Sequence, residues 1–174
     1  MAHHARLLIL GALVAIGVAL TACHISYKLN GAAIDYSKYR TISFGDFPIR
    51  AALVYPPLQQ QFEIKLLNMI EQQTRLRVVD NVNSDLRMEG EITVYQLSPQ
   101  AVGSDAYATQ TRLTIGVRVK YTDNVNPALS KDQTFSAYRD FNSNEMLNDV
   151  QDELCRQICE DLTDLIFNAT VGDW

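Results

Sequence analysis

The sequence predicts an α+β fold: a two-layer sandwich with two amphipathic helices packed on one face of a four-stranded, mostly antiparallel sheet. Three observations predict it. Segments near residues 86–95, 112–121 and 134–141 alternate apolar and polar side chains with period two. Segments 57–70 and 147–166 repeat apolar residues at steps of three and four. One helical segment precedes the run of strands and the other follows it, so both bring a single apolar stripe to the one apolar face of the sheet.

In chain order, Asn30-Gly31 marks a turn in a tether that leads into the fold. Residues 41–47 alternate and end at Pro48, which predicts a short strand. Pro56-Pro57 then opens a helix of about four turns, because proline at a first helical turn loses no hydrogen bond. Leu58, Phe62, Leu66, Met69 and Ile70 form its stripe. Residues 75–79 are either a short strand or the exit from that helix, and residues 81–85 a turn. In the next strand Leu86, Met88, Ile92 and Val94 share the apolar parity, and Gly90 on the same parity marks a bulge or a close helix approach. Residues 99–108 read as a polar loop. Leu113, Ile115, Val117, Val119 and Tyr121 define the clearest strand, with Arg112, Thr114, Gly116, Arg118 and Lys120 opposite. Phe135, Tyr138 and Phe141 belong to the last strand. The final helix carries Leu147, Val150, Leu154, Ile158, Leu162, Leu165 and Ile166, with Ser143 or Asn144 as its cap and acids early, where they suit the helix dipole.

The N-terminal stretch has a different character. Arg6 precedes an uncharged apolar run, residues 7–20, too short to span a bilayer as a helix, which needs about 20 residues. It ends in Leu20-Thr21-Ala22-Cys23, a tetrad that resembles the bacterial lipobox. The resemblance implies cleavage before Cys23, acylation of its thiol and work outside the cytoplasm. Residues 1–22 are then a lipoprotein signal peptide, 23–34 a lipidated tether and 35–174 a single domain. The mature chain has 14 basic against 20 acidic residues, a balance that speaks against nucleic-acid partners. The covalent lipid at Cys23 is the one group expected; no metal or other cofactor is.

The remaining thiols, Cys155 and Cys159, fall one turn apart on the last helix, where parallel Cβ vectors suit a disulfide badly, and read as small buried hydrophobes. Catalytic signatures are missing: there is no G-x-S-x-G, Gly-rich phosphate loop, H-E-x-x-H or C-x-x-C, and His24 is the only histidine after the cleavage point. An enzyme is not expected. Arg112, Arg118 and Lys120 form a row that can meet lipid phosphates or pair across the sheet with Glu89 and Glu91. Leu53, Val54 and Tyr55 form an apolar loop that contacts a partner or tucks into the core. Asn168-Ala169-Thr170 matches a glycosylation sequon by letters alone.

Several stretches together resemble the LptE-type lipoprotein family, in a divergent branch. They are Tyr36-Ser37-Lys38-Tyr39-Arg40-Thr41-Ile42-Ser43-Phe44-Gly45-Asp46-Phe47, Leu53-Val54-Tyr55-Pro56-Pro57-Leu58, Gln73-Thr74-Arg75-Leu76 and Glu89-Gly90-Glu91-Ile92. Arg112-Leu113-Thr114-Ile115, Phe135-Ser136-Ala137-Tyr138 and Ile166-Phe167-Asn168-Ala169-Thr170-Val171 complete the set. The resemblance implies two helices on a small mixed sheet. It also implies an outer-membrane lipoprotein that plugs and helps assemble an LptD-type β-barrel translocon for lipopolysaccharide export. Lipopolysaccharide itself is an implied contact, and the membrane is reached through the anchor. Stand-alone lipid binding, or a scaffold role in another envelope complex, is the competing expectation.

Overall fold

The computed structural model describes residues 34–101 and 108–172. Cys23, the signal segment and the expected tether up to residue 33 lie outside the described residues, and Ile34, expected to end the tether, is buried in the core of the domain. The elements are β1 (Thr41–Phe44), α1 (Pro57–Gln73), β2 (Arg77–Val78), β3 (Leu86–Ala101), β4 (Ala108–Asp123), β5 (Lys131–Asn142) and α2 (Leu147–Ala169). They form one mixed sheet in the order β2-β1-β3-β4-β5. β1 runs parallel to both β2 and β3, while the long β3–β4 and β4–β5 ladders are antiparallel.

The expected architecture is present, with five strands in place of four. The added strand is β2, the segment that the sequence left as strand or helix exit. Two paired residues are too short for periodicity to show, and Arg77 N–H to the Arg40 carbonyl (2.9 Å) helps hold it. β1 stops at Phe44 instead of reaching Phe47, because Gly45 leaves the strand line and Phe47 turns into the core edge-on to Phe62, ring centroids 5.1 Å apart. β3 extends through Pro99 to Ala101, where a loop was expected, because its ladder with β4 continues past Leu97 to the Ala101–Ala108 pair.

A register shift between Ile92 and Val94 changes which side chains point inward. Leu86, Met88 and Ile92 are buried, but after the shift Tyr95 takes the inward place and Val94 stands beside Gly116 on the other face. The expectation that Val94 joins the apolar parity is therefore corrected. At Gly90 there is no bulge, and the close approach is that of the Phe47 ring and not of a helix. A Cβ there would lie 2.1 Å from the Arg118 carbonyl oxygen and 2.8 Å from the Phe47 ring, so only glycine lets Phe47 approach this strand.

Both helices cover the same face. Leu58, Phe62, Leu66 and Ile70 from α1, and Leu154, Cys155, Ile158, Cys159, Leu162 and Ile166 from α2, are buried against Leu113, Ile115, Val117, Val119 and Tyr121. Gln61 bonds Asp152 and Lys65 bonds Glu160, so the helices run parallel with both N-termini at one end. α2 starts later than its expected cap. Met146 occupies the cap position without a side-chain bond, Ser143 meets the Thr111 hydroxyl, and the Asn144 N–H goes to the Asn142 side chain. Those polar groups close the turn after β5 instead of capping the helix.

Candidate functional site: the open face of the sheet

The helices cover one face of the sheet, and the other carries the polar parity of β3, β4 and β5. Register places Glu89 beside Lys120, Glu91 beside Arg118, and Ser98 beside Arg112. On the far side β5 sets Asp132 beside Lys120, Thr134 beside Arg118, and Asp140 beside Arg112. Arg112, Arg118 and Lys120 thus stand in a row on this face, as their spacing requires.

Each of the three has a carboxylate partner. Arg112 donates from Nε and Nη2 to the two oxygens of Asp140, at 2.8 and 2.9 Å, and its guanidinium lies 3.6 Å from the Tyr138 ring centroid. Arg118 makes the same forked contact with Asp132, at 2.9 and 2.8 Å, with Glu91 at 4.0 Å. Lys120 reaches Glu89 at 3.4 Å, and Glu89 also accepts two bonds from Arg87. Pairing across the sheet therefore occurs, but the arginines choose Asp132 and Asp140 over the glutamates of β3. Hydrogen bonding sets the charges firmly: Asp140 and Asp132 are held below the usual carboxylate range by Arg112 and Arg118, and Glu89 by Arg87 first.

The row is not one site. Arg112 and Arg118 are six residues apart, about 20 Å along a strand. Arg118 and Lys120 border a shallow depression of about 450 Å³ that also contains Asp46, Glu89, Glu91 and Asp132. Four acids surround two bases there. An incoming phosphate must displace a carboxylate from a forked guanidinium contact before it can bind.

The apolar loop divides between its two expected fates. Leu53 and Val54 are 53% and 61% exposed, whereas Tyr55 packs against the core and donates its hydroxyl to Asp152 at 3.2 Å. Cys155 and Cys159 are unpaired and buried, and burial pushes their thiols up to about 11 and about 12. Among the described residues no cluster of His, Cys, Asp and Glu could hold a metal ion. No described helix is long and apolar enough to cross a membrane. Sequence reasoning missed Asp132, Asp140 and Tyr138 as partners of the row. Their parity on β5 was visible, but the β4–β5 register was not.

The family model for lipopolysaccharide assembly, LptE, matches residues 39–170. The chain belongs to the LptE family. The matched region takes in every described strand and both helices, α1 and α2. LptE proteins are non-enzymatic lipoproteins, and membership places this chain in lipopolysaccharide assembly at the cell envelope. No curated protein sequence matches it. Among solved structures, an uncharacterized lipoprotein B from Nitrosomonas europaea is similar at TM-score 0.50 and 15% identity, covering 73% of this chain and 79% of that one. A hypothetical protein from Chlamydia trachomatis reaches 0.51 at 8% identity, with 75% and 97% covered. A protein from Xanthomonas campestris reaches 0.50 at 11% identity, with 78% and 82% covered. At these identities the likeness speaks for the fold alone.

Proposed function

We propose that this LptE-family chain is an outer-membrane lipoprotein, anchored through an acylated Cys23, that plugs and assists assembly of an LptD-type barrel. LptE proteins act with LptD-type partners. The observation that carries the reading is the charge of the open face. Arg87, Arg112, Arg118 and Lys120 stand there against Glu89, Glu91, Asp132 and Asp140, four of each sign and paired among themselves. Such a face is polar, and these eight charges compensate one another when pressed against another polar wall, with Asp46 at the margin of the depression as a further acid. The lumen of a large barrel is polar and water-filled unless a domain occupies it. Each buried methylene of the anchor adds about 0.8 kcal/mol, so two or more chains hold the domain at the membrane.

Extraction in mild detergent, followed by affinity capture of the tagged chain, tests the reading. A large outer-membrane barrel co-purifies if the proposal is right. Capture without any barrel protein overturns it. Metabolic labelling with a palmitate analogue should mark the chain, and Cys23→Ser should abolish the label.

The row itself favours a second reading, in which Arg112, Arg118 and Lys120 exchange their carboxylates for lipopolysaccharide phosphates. Reversal of all three charges would then weaken lipid binding in titrations of the purified protein, and salt would weaken it steeply. Equal binding by the reversed variant removes this reading and leaves the barrel role standing.

A further inference from the structure

β5 is an edge strand. β4 pairs with it over its whole length, from Lys131 to Asn142, and among the described residues no strand pairs with its other side. Two hydrogen bonds show which groups face outward. The Gly116 carbonyl accepts from Thr93 on β3, so the Gly116–Ser136 pair is not the hydrogen-bonded kind. The Tyr138 carbonyl accepts from Arg139 Nη1, a side chain, which fits the same alternation. Ser136, Tyr138 and Asp140 therefore direct their backbone N–H and C=O groups to the free edge, where the Tyr138 C=O is capped by the Arg139 guanidinium and an incoming strand must displace it.

Beside that edge runs a groove of about 640 Å³ between β5 residues 136–140 and the last turns of α2. Five strand residues extend over about 16 Å. The helix side of the groove presents Asp161, Asp164 and Leu165. Leu165 belongs to the apolar stripe by its spacing, yet it is 46% exposed because the sheet ends beneath it. Arg139 already holds Asp161, whereas Asp164 makes no ion pair among the described residues. The Leu165 side of the helix stripe is thus left uncovered by the sheet, and Asp161 and Asp164, with Arg139 between the strand and the helix, line the space.

We propose that this groove binds an extended, basic polypeptide segment of another protein as a sixth strand, antiparallel or parallel to β5. Its alternate side chains face α2, where a lysine or arginine meets Asp164 and an apolar residue covers Leu165. Main-chain bonds to the free edge supply the common part of the affinity, and the alternating side chains supply the choice of partner. A second copy of this chain is the poorer occupant. Pairing β5 with β5 about a two-fold axis sets two α2 helices side by side and brings Asp161 and Asp164 of both copies together. The inference is independent of the barrel assignment, since it concerns the edge and not the open face.

Fluorescence anisotropy with the full chain in detergent tests it. The probe is a labelled eight-residue peptide alternating lysine and valine, compared with its glutamate–valine counterpart. The lysine peptide should bind and the glutamate peptide should not. Asp164→Lys should weaken binding roughly fivefold, the scale of exposed ion pairs. Ser136→Pro removes one outward N–H without removing a bond to β4 and should weaken binding at least about tenfold. Far-ultraviolet circular dichroism confirms that each variant is folded, and a Ser136→Pro variant that fails this check hands the decision to Asp164→Lys. Binding that neither variant changes is charge adsorption elsewhere and overturns the proposal, as does the absence of binding. A dimer in sedimentation that Ser136→Pro dissolves assigns the edge to a second copy, which overturns it too.

Discussion

Asp85 Oδ2 accepts three hydrogen bonds from the start of β1: the Arg40 N–H at 2.8 Å, the Thr41 N–H at 2.9 Å and the Thr41 hydroxyl at 2.9 Å. Burial works against its charge, but these donors outweigh burial and hold the carboxyl below its ordinary value of 3.8. The unfolded chain therefore takes up this proton first as pH falls. The stability is present above the ordinary value and is lost as pH drops through the lower folded value. Asp85→Asn should cost about 1–2 kcal/mol at neutral pH, on the scale of hydrogen bonds to a charged group. Urea titrations at neutral and strongly acidic pH check this: the gap between wild type and variant should shrink in acid, and a constant gap rules out the charge as its cause. The sequence showed a turn ending at Asp85, but not that it ties to residues more than 40 positions earlier. The same limit explains Arg112 and Arg118. Alternation put both on one face, and only the register with β5 could name Asp140 and Asp132 as their partners.

At the scale of elements, length decided what could be read beforehand. α2 and β4 repeat their patterns over 23 and 16 residues, and both were legible. β2 has two residues and no pattern to show. In β3 the bulge after Ile92 breaks the alternation once, so Val94 and Tyr95 exchange faces, and Tyr95 ends with its hydroxyl accepting from Gln151 on α2. A strict period-two reading cannot contain that step. The cysteine pair of α2 gives the test at this scale. Both thiols lie within the stripe beside Leu154, Ile158 and Leu162, and burial raises both. Since the thiolate is the reactive form, neither Cys155 nor Cys159 should react with iodoacetamide in the native state at mildly alkaline pH. Both should react in concentrated urea, with midpoints that coincide with loss of helical signal. Fast labelling of either one under native conditions would mean that α2 opens locally, and the two-layer packing would need another account.

Across the whole molecule, charge is divided between the layers. α1 and α2 carry Glu63, Glu71, Asp149, Asp152, Glu153, Glu160, Asp161 and Asp164 against only Lys65 and Arg156. Their excess of six acids equals that of the chain from Cys23 onward, 20 acids against 14 bases. The open sheet face is balanced by comparison. An anionic lipid or membrane surface is repelled by the helix layer and meets paired, nearly balanced charges on the sheet. In the proposed barrel complex the sheet face is therefore the side that packs against the lumen wall, with the helix acids turned toward the water-filled part of the lumen. Photo-crosslinking residues placed at Gln96 and Thr134, both exposed on the sheet face, should form adducts with the barrel in cells. The same residue at Glu153, exposed on α2, should not. Adducts from Glu153 alone would reverse the orientation and leave the neutral face without a role. Adducts from both sides would mean a lumen that surrounds the domain, in which case the helix acids must find basic residues on the barrel wall, and reversing Asp149 and Glu153 to lysine should reduce co-purification.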